Sequence, residues 1–160
     1  EKKKRIIYLP SGAVCGIDGL KAAKISKIKS VELTTRKPPK GLEGAPFIIK
    51  NKIDLKSIKG QKLIFSGTAK EAVKGFPKNV NVAALLSIAG IGASKTRVNI
   101  ITSPKFKRNS HQIEIKGACG TLVTRTDNVP SPDNPKTSYL AALSAVATLK
   151  QILSSAKIGT

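Results

Sequence analysis

The chain has 160 residues, 29 of them lysine or arginine against 9 aspartates and glutamates, and a formal net charge of +20. An apolar share of 40% in a chain of this length is enough to bury one domain's core, which excludes a disordered polybasic tail. No apolar run reaches membrane-spanning length, and ordinary glycine and proline contents exclude collagen-like and linker-like chains.

Glu1 to Arg5 are charged and lead into an apolar run, RIIYL, which reads as a short buried strand ending at Pro10 rather than as a signal-peptide core. With no targeting segment visible, a cytoplasmic location is expected. The small residues of PSGAVCGIDGL follow, where backbone can approach a ligand or another element closely. Apolar positions at Leu20, Ala23, Ile25 and Ile28 predict a short helix with lysines outside. Val31, Leu33 and Thr35 then alternate with Glu32, Thr34 and Arg36, the pattern of a half-exposed strand that must stop before Pro38 and Pro39.

Residues 38 to 60 have no clear period and predict an excursion with one helical turn near Asp54 to Ile58. KLIF at 62 to 65 is a strand. Thr68 and Glu71 have capping-box spacing at the head of a helix over Gly67 to Gly75. The run VNVAALLSIAGIG carries no charge and predicts a helix over Val80 to Ile91 that needs cover on every side. Arg97 to Thr102, Ser110 to Lys116 and Thr121 to Thr126 are three more strands, the last two joined by a turn at Gly117 to Gly120. In NPKTSYLAALSAVATLK, Asn134 as cap and Pro135 at the first position predict a helix running to about Ser154. Roughly six strands and four helices in this order predict an α/β or α+β domain, with a mixed sheet and helices mainly on one face.

The charge invites a nucleic-acid partner, but most of the basic residues are lysine and only four phenylalanines and two tyrosines could stack on bases. Abundant lysine and isoleucine with no methionine or tryptophan fits the composition of a heat-adapted organism instead. Cys15 and Cys119 stand apart among small residues and are expected as buried free thiols. A single histidine argues against a protein-only zinc site.

That histidine, His111, falls on the same side of its strand as Ile113 and Ile115. Such a residue is either a satisfied core imidazole or the proton-transfer group of a site beside the polar loop Ser103 to Ser110. Of Asn79 and Asn81, only one is needed to cap the following helix, which leaves the other for a ligand. Ser11-Gly12-Ala13 follows a strand end, where α/β sheets bind ligands, yet no phosphate-loop motif is present. Lys136, Thr137 and Ser138 combine an ammonium, two hydroxyls and helix N–H groups, chemistry suited to a carboxylate.

YLPSGAVCGIDGLKAAK, TTRKPP, SGTAKEAVKGFPKNVNVAALLSIAGIG, NSHQIEIKG and VPSPDNPKTSYLAALSAVATLK, in this order, resemble the second domain of L-aspartate dehydrogenases. The resemblance implies an upstream Rossmann domain, absent from this chain, that binds NAD or NADP. It further implies oxidation of L-aspartate to iminoaspartate in NAD biosynthesis and assembly as a homodimer or higher homo-oligomer, with no nucleic-acid or membrane partner. His111 then corresponds to the active-site histidine, and Ala13 and Asn81 to positions that contact the cofactor. The competing readings are a two-domain dehydrogenase of the homoserine or dihydrodipicolinate reductase type and a basic nucleic-acid-binding domain. The first needs more acid–base groups than one histidine supplies, and the second needs more arginine and aromatic residues.

Overall fold

The computed structural model describes residues 5–77, 81–134 and 137–159. Five strands form one mixed sheet in the order β2-β3-β1-β4-β5: β1 (Ile28–Lys37), β2 (Lys62–Thr68), β3 (Arg97–Thr102), β4 (Asn109–Gly117) and β5 (Gly120–Asn128). β1 and β3 are parallel and every other pair is antiparallel. The helices are α1 (Ile17–Ala23), α2 (Pro46–Lys50), α3 (Ala69–Gly75), α4 (Asn81–Ala89) and α5 (Tyr139–Leu153). The expected mixed sheet with helices on one face is therefore present.

Period-two alternation decides which sheet face is covered. Val31 and Leu33 of β1, Val98 and Ile100 of β3, and Ile113 and Ile115 of β4 all point to the helix side and are nearly sealed from water. Between them on the other face stand Glu32, Arg36, Gln112, Glu114, Arg125 and Asp127, so that face is polar. Leu20 of α1 and Leu86 of α4, both fully buried, close the core from the helix layer. Among the described residues no helix is long and apolar enough to cross a membrane.

Local chemistry explains several boundaries. The capping box at α3 is complete: Glu71 N–H donates to Thr68 Oγ1, and Thr68 N–H donates to Glu71 Oε2. Gly117 pairs with Gly120 across the hairpin, leaving Ala118 and Cys119 as its tip. Gly16 precedes α1 with φ 83°, and a Cβ there would come within 2.7 Å of Thr124 Cγ2. Only glycine fits there.

Other expectations need correcting. Arg5 to Leu9 do not form a strand: Ile6 and Ile7 are 75% and 82% exposed, and among the described residues no ladder partner lies beside them. Apolar residues alone do not make a strand without an edge to pair with. The first helix lies earlier than its apolar spacing predicts, ending at Ala23, and Ile25 is left outside while Ile28 opens β1. The excursion after β1 carries its helical turns at Pro39–Leu42 and Pro46–Lys50. Residues 54 to 58 form only a turn whose Leu55 and Ile58 plug the core.

Asn134 does not cap the last helix, because Ser138 is the N-cap and the preceding stretch is held by a Pro130–Ser138 bridge. Thr137 and Ser138 thus precede the first turn instead of forming it. Cys15 and Cys119 are free but exposed, since their small neighbours make turns and not a packed interior.

Candidate active site

A cleft of about 440 Å³ opens at the C-terminal end of β1, the position where parallel strands of α/β sheets present ligand sites. One wall is the loop from Leu9 to Ala13, a second is α4 through Asn81, Val82, Ala84, Leu85 and Ile88, and a third is Thr137, Ser138 and Ala141. Lys37, Asn109 and His111 form the floor. Ala13, Asn81, His111, Thr137 and Ser138, separated by up to 125 positions in sequence, therefore line one cavity. Lys136 and Asn79 lie outside the described residues.

His111 sits where the strand alternation placed it, on the covered face and 6% exposed. The β1–β4 register sets it opposite Thr35, and its Nδ1 lies 3.0 Å from Thr35 Oγ1. In the tautomer whose Nδ1–H donates to that hydroxyl, Nε2 is the acceptor nitrogen left to a ligand. Burial first, and the positive charge of Lys37 second, push the imidazole down to about 4. At neutral pH it is uncharged and able to accept a proton.

The loop wall is held by a side-chain network. The Ala13 carbonyl accepts from Thr126 Oγ1 at 2.8 Å and from Asn128 Nδ2 at 3.1 Å. Ser138 Oγ donates to Asn128 Oδ1 at 2.7 Å, which ties the head of α5 to the same carbonyl. Gly12 N–H donates to Ser144 Oγ at 3.0 Å, a second tie between the loop and α5. Ser138 thus spends its hydroxyl on Asn128, and Thr137 Oγ1 accepts from Asn134 Nδ2. Both residues shape the cleft wall and also anchor its neighbours.

These ties were not visible in the sequence, because β5, which carries Thr126 and Asn128, and α5, which carries Ser144, are far from the loop in sequence. Thr35 and Lys37 could have been found: extending the Val31, Leu33, Thr35 alternation by two residues puts a lysine on the covered face. Among the described residues no cluster of three histidines, cysteines or carboxylates could hold a metal ion.

The comparisons with known proteins show the family. The family model described as aspartate dehydrogenase, C-terminal, matches residues 18–152.

The chain belongs to that family.

An L-aspartate dehydrogenase of Methanococcoides burtonii is 59% identical over 154 residues, covering 96% of this chain and 57% of that protein. One of Nitrosopumilus maritimus is 49% identical, covering 98% and 58%. The crystal structure of aspartate dehydrogenase from Thermotoga maritima superimposes with a TM-score of 0.75 at 31% identity, covering 95% of this chain and 55% of that one. The chain thus spans a little over half the length of the aspartate dehydrogenases it matches.

Proposed function

We propose that this chain is the substrate and assembly domain of an L-aspartate dehydrogenase that oxidises L-aspartate to iminoaspartate with NAD or NADP. The observation that carries the reading is the convergence of a buried, neutral His111 with Ala13 and Asn81 on one cleft. The lining fits a nicotinamide. Asn81 offers an amide that can both donate to and accept from a carboxamide, and Ala84, Leu85 and Ile88 offer apolar surface for a ring. A bound pyridine nucleotide supplies the hydride acceptor.

The chain's own residues position the substrate and manage its protons. His111 takes a proton from the substrate amine, or from water that attacks the imine, through Nε2. Thr35 holds the ring's orientation through Nδ1. The Thr126–Asn128–Ser138 network keeps the Ala13 backbone from shifting, which fixes the approach of a ligand against the loop wall. Thr137 and Ser138 line the third wall; they and Lys136, which lies outside the described residues, are assigned to the substrate on their chemistry.

An upstream Rossmann domain completes the dinucleotide pocket, and the mostly exposed apolar side chains of α5 give it, or a second copy of the chain, a surface to cover. The protein acts in the cytoplasm of a heat-adapted organism as a homodimer or larger homo-oligomer and feeds pyridine-nucleotide synthesis.

The test is to follow the absorbance of reduced nicotinamide with the full-length protein, supplying L-aspartate with NAD and then NADP. L-malate, L-homoserine and D-aspartate serve as controls. Reduction specific to L-aspartate is expected; equal or greater reduction with L-homoserine, or none with any substrate, overturns the reading.

A further inference from the structure

Lys37 is the residue of the cleft floor to which the mechanism above gives no task. It ends β1, is 9% exposed, and lines the same cavity as His111, Asn81 and Asn109. Its place is set by three constraints. Alternation along β1 puts it on the covered face with Val31, Leu33 and Thr35. Pro38 stops the strand directly behind it. Its carbonyl accepts from Thr102 Oγ1 at 2.8 Å, which clamps the strand end to β3.

The β1–β4 register pairs Thr35 with His111 and ends at Arg36 and Ser110, so Lys37, two residues past Thr35 on the covered face, is a diagonal neighbour of His111. Holding an ammonium there opposes its hydration, and burial pushes Lys37 down from 10.5 to about 8. A position needing only volume would favour an apolar side chain. The described lining of the cleft offers amides, hydroxyls and an imidazole beside apolar side chains and holds no aspartate or glutamate, so nothing in it repels a carboxylate.

We propose that Lys37 binds a carboxylate of the substrate at the floor of the cleft, beside His111. The proposal rests on the L-aspartate reading and deepens it. Ion pairing has a second consequence: the carboxylate offsets the Lys37 charge that bears on His111, so the imidazole gains basicity only when substrate is in place. Among the described residues lining the cleft, Lys37 and His111 are the only ones with titratable side chains.

The experiment compares wild type, Lys37→Met and Lys37→Arg in the full-length protein. Kinetics are measured with L-aspartate at saturating dinucleotide, and calorimetry with succinate, a dicarboxylate that has no amine to oxidise. Lys37→Met is expected to raise the KM for L-aspartate and the Kd for succinate by about 10–100-fold, the loss of one charge-assisted hydrogen bond. Its kcat should fall by a smaller factor, and its Tm should hold or rise, because an apolar chain replaces a buried charge. Lys37→Arg keeps the charge and should recover part of both constants.

In wild type, succinate should move the His111 ring titration upward, and in Lys37→Met it should not. Unchanged KM and Kd in Lys37→Met would overturn the role of Lys37. Succinate binding that depends on Lys37 in a protein that does not oxidise L-aspartate would overturn the enzyme reading instead, and leave the carboxylate site standing.

Discussion

Helices α4 and α5 face each other across the cleft, and the sequence describes them in nearly the same terms: apolar, small-residue, almost without charge. The structure treats them in opposite ways. α4 buries Val82, Ala83, Leu86 and Ser87, with Leu86 fully enclosed. α5 buries no residue along its fifteen, and Leu143, Val146 and Leu149 are 46%, 50% and 63% exposed. Hydrophobicity states that a surface must be covered; it does not say by what. α4 finds cover for one side inside this chain, between α1, α3 and the sheet, and turns Leu85 and Ile88 to the cleft. α5 is tied to the body by polar groups, the Gly12–Ser144 and Ser138–Asn128 hydrogen bonds among them, and leaves its apolar side chains for another surface.

That contrast can be broken at several points, the largest on the floor the two helices share. His111→Ala in the full-length protein is expected to lower kcat by about 10²–10⁴ while leaving nucleotide affinity nearly intact. A near-normal kcat at all pH values would refute its role.

On the α4 side, Leu86→Ala should cost about 2–5 kcal/mol in denaturant unfolding of this chain, since the side chain is sealed on all sides. The matching change on α5, Leu143→Ala, should stay within about 0.5 kcal/mol in the 160-residue chain. In the full-length protein it should cost measurably more, and equal costs in the two settings would mean that nothing covers α5.

Between these extremes lies Ser144→Ala, which removes the acceptor of Gly12 N–H. A loss of about 1 kcal/mol in stability is expected, with a rise in the nucleotide KM as the loop wall loosens. An effect on neither would detach α5 from the site.

The last effect is one of pH. Burial and Lys37 hold His111 at about 4 against an ordinary 6.5, so the folded chain binds fewer protons than the unfolded one between those values. The contribution is whole above pH 6.5 and is lost as pH falls through 4. Stability measured from pH 7 down to 4 should therefore decline, and His111→Gln should remove part of that slope. Identical profiles would mean that the imidazole is not desolvated.

Much of this was legible beforehand because it rests on local chemistry. The capping box of α3, the strand β3, the turn at Gly117 to Gly120 and the covered side of β4 each follow from a few neighbouring residues. So does the placing of His111 beside Ile113 and Ile115. The errors have the opposite character. RIIYL has strand composition but no partner edge; Ile25 has helical spacing but lies beyond the end of α1. Asn134 has capping chemistry, but Ser138, held by its bridge to Pro130, is the N-cap. In each case a non-local hydrogen bond, or the lack of one, outweighed the local preference.

By itself, then, the sequence determined the mixed α/β character, the single imidazole and the face it occupies, because period and capping act over a few residues. Only the tertiary structure decided that Ala13, Asn81, His111 and Ser138 share one cavity, and that Lys37 lies on its floor. It also decided that one side of α4 is sealed within the chain while α5 buries no residue. Cavity walls and helix cover are contacts between elements distant in sequence, and the strand register and packing that create them exist only once the chain has closed on itself.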